Sequence, residues 1–271
     1  MFGVGGGFIA TPVLHVVLGL PMPLAVGTSL CQMVGTSAAA LSRQNRSGHV
    51  DFKVALAMMG GSFVGVVLGV KTVEAAKSWG TLGLGAGGKT EPAVNVFLMC
   101  LFLVVLLAAS AHFIRDRFDR VGSPRRHPLL GRLKFALMAR FEFGSVSLVA
   151  LAFMGVAIGF LTGLLGIGGG IILVPALHYL LGMSMKRAVG TSLFFVFLSS
   201  IFGTATHVVR GNVDLAVALA FLCTSTLGAQ AGAQMGISLS ALKLKRYFVV
   251  VLLLGAGLMA FRLVGLFFFQ G

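Results

Sequence analysis

Apolar runs of close to twenty residues recur along the chain, separated by short polar segments. The four strongest runs are Ala93–Phe113, Ser145–Leu165, Val213–Gln234 and Phe248–Phe269. Three shorter or more polar runs are Leu24–Leu41, Val54–Val70 and Ala188–His207. Since a helix needs about 20 mainly apolar residues to cross a bilayer, the pattern predicts an all-α integral membrane protein, a bundle of about seven or eight transmembrane helices.

Composition and charge agree with a membrane location. Only 10% of the 271 residues are charged and 57% are hydrophobic, whereas a soluble domain carries about 25% charged residues. The net charge is +14, and most Lys and Arg residues lie between the apolar runs, as in cytoplasmic loops of membrane proteins. We therefore expect a multi-pass protein of the cell membrane whose partners are the lipid bilayer and a small solute. We expect no nucleic-acid binding, and a homo-oligomer is compatible with this interpretation.

The chain contains two copies of one repeat. After a shift of 163 positions, Gly3–Val70 aligns with Gly166–Ala233 without a gap. Shared elements include Gly5-Gly6-Gly7 with Gly168-Gly169-Gly170, Pro12 with Pro175, His15 with His178, and Ala25 to Leu30 with Ala188 to Leu193. The repeat predicts three parts: a first transmembrane repeat at 1–113, a basic cytoplasmic linker at 114–142 and a second transmembrane repeat at 143–271.

The linker is strongly basic, with eight Lys or Arg residues against three acids in Ile114–Glu142. Its second part, Leu129–Phe143, is either a basic amphipathic helix that lies on an anionic leaflet or an ordinary cytoplasmic loop.

The two copies differ at their beginnings. The apolar run Ser145–Leu165 leads into the second glycine motif, whereas Met1 adjoins the first. A glycine turn needs a helix on both sides to be held in lipid, so we expect that a first helix is missing because the start is misplaced. The alternative is that the first half is shorter than the second.

The two glycine motifs are the first candidate binding site. Adjacent glycines break a helix and permit positive φ, and unwound backbone at membrane depth must be buried in protein or line a cavity. Helices that start near Phe8 and Ile171 would direct their N-termini at an anionic substrate. The predicted substrate-binding glycines are Gly5, Gly6, Gly7, Gly168, Gly169 and Gly170. The alternative is that these glycines only allow close helix packing.

Paired hydroxyls and one histidine complete the predicted site. The hydroxyls are Thr28, Ser29, Thr191 and Ser192. They either bind an oxyanion or bond to helix carbonyls, as Ser and Thr often do in membrane helices. His207, at the end of its run, either lines an access funnel or reaches the interface. For His15 and His178 we favour a structural role.

The chain lacks the residue patterns of an enzyme. Its three cysteines lie singly in apolar runs, which indicates neither a metal nor a redox site. Only seven carboxylates are present, and none is clearly in the middle of a span. Asp51 and Asp214 have the positions of helix caps. We expect no catalytic residue, cofactor or metal, and the scarcity of intramembrane acids weakens the case for strong proton or sodium coupling.

The direction of the two halves depends on whether the glycine-broken segments cross fully. If they are re-entrant, the halves are inverted and more charges satisfy the positive-inside rule. The basic residues on the cytoplasmic side are then Arg43, Arg46, Lys53, Lys186, Arg187, Lys243, Lys245 and Arg246. Those outside are Lys71, Lys77, Lys89 and Arg210. We therefore favour an inverted repeat, each half with one broken helix.

These motifs resemble the sulfite exporter family of the TauE/SafE type. The resemblance rests on Gly166–Gly170 with Pro175, on Ala188–Ser192, and on His207 to Asp214. The first half departs from the second at Gln44, which aligns with His207. The resemblance implies a permease for sulfite, sulfonates or other sulfur-containing or organic anions. An inside-negative potential favours outward movement of an anion, so we expect export. The alternative is a membrane scaffold or maturation factor without transport activity.

Overall fold

Nearly all of the described part of the chain is helical. The computed structural model describes residues 4–83, 90–115, 138–141, 144–238 and 241–268. The helices are α1 (Gly7–Val16), α2 (Met22–Arg46), α3 (Phe52–Lys77), α4 (Ala93–Arg115), α5 (Leu148–Leu165), α6 (Gly170–Tyr179), α7 (Met185–Val209), α8 (Leu215–Ser238) and α9 (Ala241–Phe268). Two antiparallel hairpins join β1 (Thr81–Gly83) to β2 (Thr90–Pro92) and β3 (Met138–Phe141) to β4 (Gly144–Ser147).

Seven of these helices, α2 to α5 and α7 to α9, are long and apolar enough to cross a membrane. This confirms the predicted polytopic bundle. The other two, α1 and α6, have 10 residues each, so each extends about 15 Å, half of the hydrocarbon thickness.

The helix bounds follow the repeat. Under the shift of 163 positions, both ends of α1 coincide with those of α6 and both ends of α2 with those of α7, and α3 starts where α8 starts. The same capping chemistry recurs at matched positions. Asp51 accepts hydrogen bonds from the N–H groups of Lys53 and Val54, and Asp214 accepts one from the N–H of Val217. Both aspartates therefore cap helices, as predicted.

The equivalent helices α2 and α7 run in opposite directions. Gly27, near the start of α2, lies against His207 at the end of α7, and Gly190, near the start of α7, lies against Gln44 at the end of α2. An inverted repeat requires this relation between equivalent helices, whereas a repeat about an axis along the membrane normal would leave them parallel.

Helices α3 and α5 pack as a parallel pair in backbone contact. A methyl group added to Gly61 or Gly65 would overlap the carbonyl oxygen of Ala152 or Val156, respectively. In return, Gly155, Gly159 and Gly163 of α5 lie against Met58, Ser62 and Val66 of α3. Small residues at every fourth position allow this close approach in lipid.

Helix α6 belongs to a broken crossing rather than to the re-entrant segment considered in the sequence prediction, because its neighbours α5 and α7 point the same way. Phe52 stacks on Phe194 and Phe63 on Phe202, so α7 runs parallel to α3, as α5 does. The chain must therefore return between α5 and α7, and the short α6 makes that return. The 163-residue shift assigns the same geometry to α1.

Positive charge collects at one end of the bundle. That end holds the C-termini of α2 and α4, the N-termini of α3, α5 and α7, and hence both ends of the basic linker. Its described basic residues include Arg43, Arg46, Lys53, Lys186 and Arg187. Lys71, Lys77 and Arg210 lie toward the other end, and the side chains of Lys89, Lys243 and Lys245 are outside the described part. By the positive-inside rule, a cytoplasmic location of the linker end stays a prediction.

The linker prediction needs one correction. Met138–Phe141 forms strand β3 and pairs with β4, so the amphipathic-helix alternative for Leu129–Phe143 is wrong at these residues. Backbone pairing with the segment that precedes α5 satisfies their N–H and C=O groups locally. The rest of Leu129–Phe143 is outside the described residues.

Candidate functional site: a cavity at the first glycine turn

Both glycine motifs form turns in the left-handed region of backbone space. In the first, Gly5 and Gly6 have φ of 75° and 86°. In the second, Gly166, Gly168 and Gly169 have φ of 67°, 72° and 71°. Side chains with a Cβ rarely adopt these angles. The third predicted glycines, Gly7 and Gly170, begin α1 and α6.

The two turns meet near the middle of the bundle. Gly5 and Gly168 both lie against the side chains of Met33 and Val196, which occupy matched positions close to the centres of α2 and α7. The half-length helices α1 and α6 therefore begin at mid-membrane depth, and their N-termini carry the positive end of the helix dipole.

A cavity of about 390 Å³ lies beside the first turn, between α1, α2, α8 and α9. Its polar wall consists of the turn itself together with Gln32, Thr36 and Ser225. The apolar wall includes Val4, Phe8, Ile9, Val13, Leu193, Phe221 and Val251. The volume suits a small molecule, since ligand pockets commonly measure about 300–1,000 Å³.

Gln32 is the polar side chain of this wall that has an atom without a hydrogen-bond partner among the described residues. Its side chain is only 3% exposed, and its Oε1 atom has no hydrogen-bond partner among the described residues. Thr36, one turn further along α2, donates from Oγ1 to the carbonyl oxygen of Gly5 at 2.8 Å, and Ser225 donates to the carbonyl oxygen of Phe221. A half-turn about the last side-chain bond would present the amide N–H groups of Gln32 to the cavity instead.

The electrostatics of the cavity favour a negative ligand. The first turn of α1 has no side-chain cap, and Gly6 is its N-cap, so the positive end of the helix is directed at the cavity. The described wall contains no acidic or basic side chain. This site can therefore hold an anion through neutral donors and a helix N-terminus, and the apolar wall can hold an organic group attached to it.

The sulfite exporter TauE/SafE family model matches residues 1–259. The chain belongs to this family. It is 27% identical over 248 residues to the probable membrane transporter protein YunE of Bacillus subtilis, covering 86% of this chain and 81% of that protein. It is 25% identical over 256 residues to a probable membrane transporter protein of Xylella fastidiosa strain 9a5c, covering 93% and 86%. No solved structure matches significantly.

The family and the seven apolar helices together establish a multi-pass membrane transporter. This level of function was predicted from the sequence and is confirmed.

In this family member the predicted threonines act as reciprocal caps between the halves. Thr28 Oγ1 accepts a hydrogen bond from the N–H of Asp214 at 3.0 Å. Thr191 Oγ1 accepts one from the N–H of Asp51, also at 3.0 Å. The two contacts are equivalent, because exchanging the two halves of the repeat converts one into the other. Neither threonine lies in the wall of the cavity.

The predicted serines are also engaged inside the bundle. Ser29 Oγ donates to the carbonyl oxygen of Val26 at 2.8 Å and accepts from Thr11 Oγ1 at 2.8 Å. Ser192 Oγ donates to the carbonyl oxygen of Val189 at 3.0 Å. This is the carbonyl-bonding alternative considered for these hydroxyls, and it leaves them outside the cavity wall.

His207 belongs to a separate polar cluster near the outer ends of α3, α5 and α7. Its Nε2 donates to the carbonyl oxygen of Gly163 at 2.9 Å, and Asn212 Nδ2 lies 3.5 Å from its Nδ1. Asn212 also donates to Glu74 at 2.8 Å and accepts from Lys77 at 2.6 Å. His207 therefore joins three helices rather than facing the cavity. His15 and His178 are likewise structural, donating from Nδ1 to the carbonyl oxygens of Leu20 and Met183 at 2.7 Å.

The second glycine turn is packed where the first is open. Gly169 lies against Ile158 and Thr162 of α5. At Gly6, no atom of another described residue lies within 4 Å of the place that an added methyl group would occupy. Gln32, which sequence reasoning missed, shows the same asymmetry, because its counterpart in the second half is Phe195. This difference between two otherwise similar copies was the sequence signal that could have identified Gln32.

Proposed function

We propose that this transporter is a permease that exports an anion with a sulfur-oxyanion head, such as sulfite or a small organic sulfonate. The anion binds at the Gly5–Gly6 turn. The observation that carries the proposal is the position of the buried Gln32 amide, whose Oε1 has no partner among the described residues, in the wall of a cavity at the N-terminus of a half-length helix.

After a half-turn about its last side-chain bond, the Gln32 amide would donate its N–H groups to a bound oxyanion. The N-terminus of α1 would stabilise the charge of that anion. The same helix end disfavours a cation, and no acidic side chain in the described cavity wall would compensate. The apolar walls favour an anion that carries a hydrocarbon group over one that is polar all round.

The arrangement of the halves supports alternating access. Equivalent helices α2 and α7 run in opposite directions, and the half-length helices α1 and α6 both start at mid-depth. In transporters with inverted repeats, such discontinuous helices surround the substrate site, and the halves rock about it.

Electrostatics supports export without a partner ion. An inside-negative membrane potential lowers the free energy of each negative charge that leaves the cell by about 2.3 kcal/mol per 100 mV. Coupling to protons or sodium commonly uses intramembrane acids. Among the described residues, Asp51 and Asp214 cap helices and Glu74 pairs with Lys77 at 2.8 Å.

The test is efflux of sulfite and of benzenesulfonate from loaded proteoliposomes with an imposed potential. Gln32→Leu removes the free amide, and the matched control Gln44→Leu removes a buried amide from the same helix outside the cavity wall. Losing a hydrogen bond to a charged group predicts about tenfold or greater slowing for Gln32→Leu at low substrate concentration.

Gln44→Leu should transport at the unmodified rate once corrected for folded protein. Equal slowing in both variants, or none in Gln32→Leu, would exclude the cavity as the binding site. Efflux of neither anion by the unmodified chain would exclude this substrate class.

A further inference from the structure

An arginine lies within the apolar span of α9. That span is Arg246–Leu266, and Arg262 lies one helical turn before its end. The sixteen residues from Arg246 to Arg262 correspond to about 24 Å of helix. A charged side chain at such a depth is costly in hydrocarbon, and it commonly marks the path of an ion or a substrate.

The position of Arg262 on α9 faces the interior of the bundle. The inward side of α9 follows alternating spacings of four and three residues, the period of one helix face. Its members are Phe248, Leu252, Gly255, Met259, Arg262 and Leu266, of which all except the half-buried Arg262 are buried. The residues beside it, Phe261 and Val264, are exposed. Arg262 therefore interrupts the packed side of the helix rather than its outer side.

The neighbour of Arg262 is the C-terminal end of the half-length helix α1. The carbonyl oxygen of Phe8 lies 3.2 Å from the place that a methyl group on Gly255 would take, and the charge of Arg262 acts on the ring of His15. Seven residues, or about two turns, separate Phe8 from His15 and also Gly255 from Arg262. Helices α1 and α9 therefore run side by side in the same direction.

No described residue supplies Arg262 with a counter-charge. Its Nε atom is buried and has no hydrogen-bond partner among the described residues. The acidic neighbour is Glu91, whose charge also acts on His15. Glu91 accepts a hydrogen bond from Asn95 at 3.4 Å and forms no ion pair with Arg262. A guanidinium shielded from water requires a charged partner, and its fork of N–H donors matches an oxyanion.

Arg262 lies on the same face of α9 as the wall of the cavity. Val251 of α9 lines the cavity, and the eleven residues from Val251 to Arg262 make about three turns, or about 16 Å. Ile9 and Val13 of α1 extend the wall in the same direction. All residues of α9 between Val251 and Arg262 are apolar or glycine. Arg262 is therefore the first polar side chain of α9 beyond the cavity, toward the end of the bundle opposite the linker.

We propose that Arg262 forms a second anion-binding site, between the cavity and the end of the bundle opposite the linker. The guanidinium donates two parallel hydrogen bonds to an oxyanion head, which supplies the missing counter-charge. Sulfite, sulfonates and lipid phosphates share this head chemistry. The inward position of Arg262 favours a free anion over a lipid. The role of this site in exit rests on the proposed function, whereas its affinity for an oxyanion does not.

The test measures binding through the Tm in detergent, in a Gln32→Leu chain so that the cavity contributes little. Benzenesulfonate or sulfite should raise the Tm with concentration. Adding Arg262→Gln should weaken the apparent affinity about tenfold or more, because a charge-assisted hydrogen bond is lost. Arg262→Lys keeps the charge without the fork and should be intermediate. Arg210→Gln is the matched control, since it removes an exposed arginine from the end of α7, and it should leave the affinity unchanged.

Three results would overturn the proposed site. The first is an equal affinity with and without Arg262→Gln. The second is a Tm rise that depends on Arg262 with dioctanoyl phosphatidylglycerol but not with the free anions, which would assign the site to a lipid phosphate. The third is a lower Tm of Arg262→Gln without any anion, which would mean that Arg262 only holds the end of α1. We expect an unchanged or higher Tm there, because an unpaired charge is removed.

Efflux from proteoliposomes tests the place of this site on the exit path. In the otherwise unmodified chain, Arg262→Gln should lower the maximal rate of benzenesulfonate efflux and leave the half-saturating internal concentration unchanged, because the cavity is intact. An unchanged maximal rate would overturn the exit role. Failure of the proposed function would instead appear as normal efflux in Gln32→Leu, and the binding result at Arg262 is independent of that outcome.

Discussion

The reciprocal threonine caps allow a quantitative test of how the halves are held together. Thr28→Val and Thr191→Val each replace a hydroxyl with a methyl group of similar size, and each removes the acceptor for one aspartate N–H, that of Asp214 or Asp51. Because the two contacts are related by exchange of the halves, we expect two equal effects.

The structure sets the size of each effect. A fully buried N–H that loses its partner costs about 1–3 kcal/mol, while hydrogen bonds inside membrane bundles average about 0.6 kcal/mol. Both threonines are fully buried, but the aspartates that donate to them are half-buried. We therefore expect about 1 kcal/mol of destabilisation for each substitution.

The two sites should act independently. Thr28 follows Gly27, and Thr191 follows Gly190, which lies against Gln44. The 17 positions from Gly27 to Gln44 along α2 correspond to about 25 Å. Substitutions that far apart usually add, so the double variant should lose about 2 kcal/mol.

Reversible denaturation in detergent micelles measures these losses, and Thr28→Ser and Thr191→Ser serve as controls because they keep the hydroxyl. The serine variants keep the acceptor and lose one buried methyl group, so we expect a smaller cost for them than for the valine variants, at most about 0.8 kcal/mol. A clear cost for one valine variant and none for the other would refute the exchange relation between the halves. A double variant far from the sum would refute their independence.

Three further predictions use the same unfolding assay together with efflux. Gly169→Ala should lower the Tm more than Gly19→Ala, because both glycines have positive φ but, among the described residues, only at Gly169 of these two would a methyl group overlap a neighbour, the branched side chain of Ile158; equal shifts would contradict the packing of the second turn. His207→Phe should cost about 1–2 kcal/mol, because it leaves the carbonyl oxygen of Gly163 unpartnered, with efflux per folded molecule unchanged; a selective loss of efflux would assign His207 to the pathway. Asp51→Ala should cost about 1 kcal/mol as a lost helix cap, while the dependence of efflux on potential persists; loss of a proton or sodium dependence on this substitution would contradict uncoupled export.

The two glycine turns have similar backbone structures but different surroundings. Both turns place a half-length helix at mid-depth. The first turn faces the described cavity beside Gln32, whereas Gly169 of the second turn packs against α5 and Phe195 is the counterpart of Gln32. A duplicated scaffold can hold its shape with both copies while one copy keeps the binding groups. The transport test on Gln32 therefore examines the specialised copy.

Much of the architecture is already determined by the sequence, because its causes are local. Helix hydrogen bonds join residues four apart, so runs such as Ala93–Phe113 predict spans without knowledge of their neighbours. The glycine turns follow from backbone freedom at adjacent positions such as Gly5 and Gly6. Asp51 and Asp214 are helix caps for the same reason, since they bond to N–H groups two or three residues away.

Only the tertiary structure decided which polar groups are free to bind a ligand. Thr28 and Thr191 match the pattern of a site, but their partners lie 186 and 140 residues away along the chain. Gln32 had no motif, and its unpartnered amide became visible only when α1, α2, α8 and α9 were assembled around one cavity. Whether a buried polar group is satisfied depends on every helix packed around it, and the sequence near that residue does not contain this information.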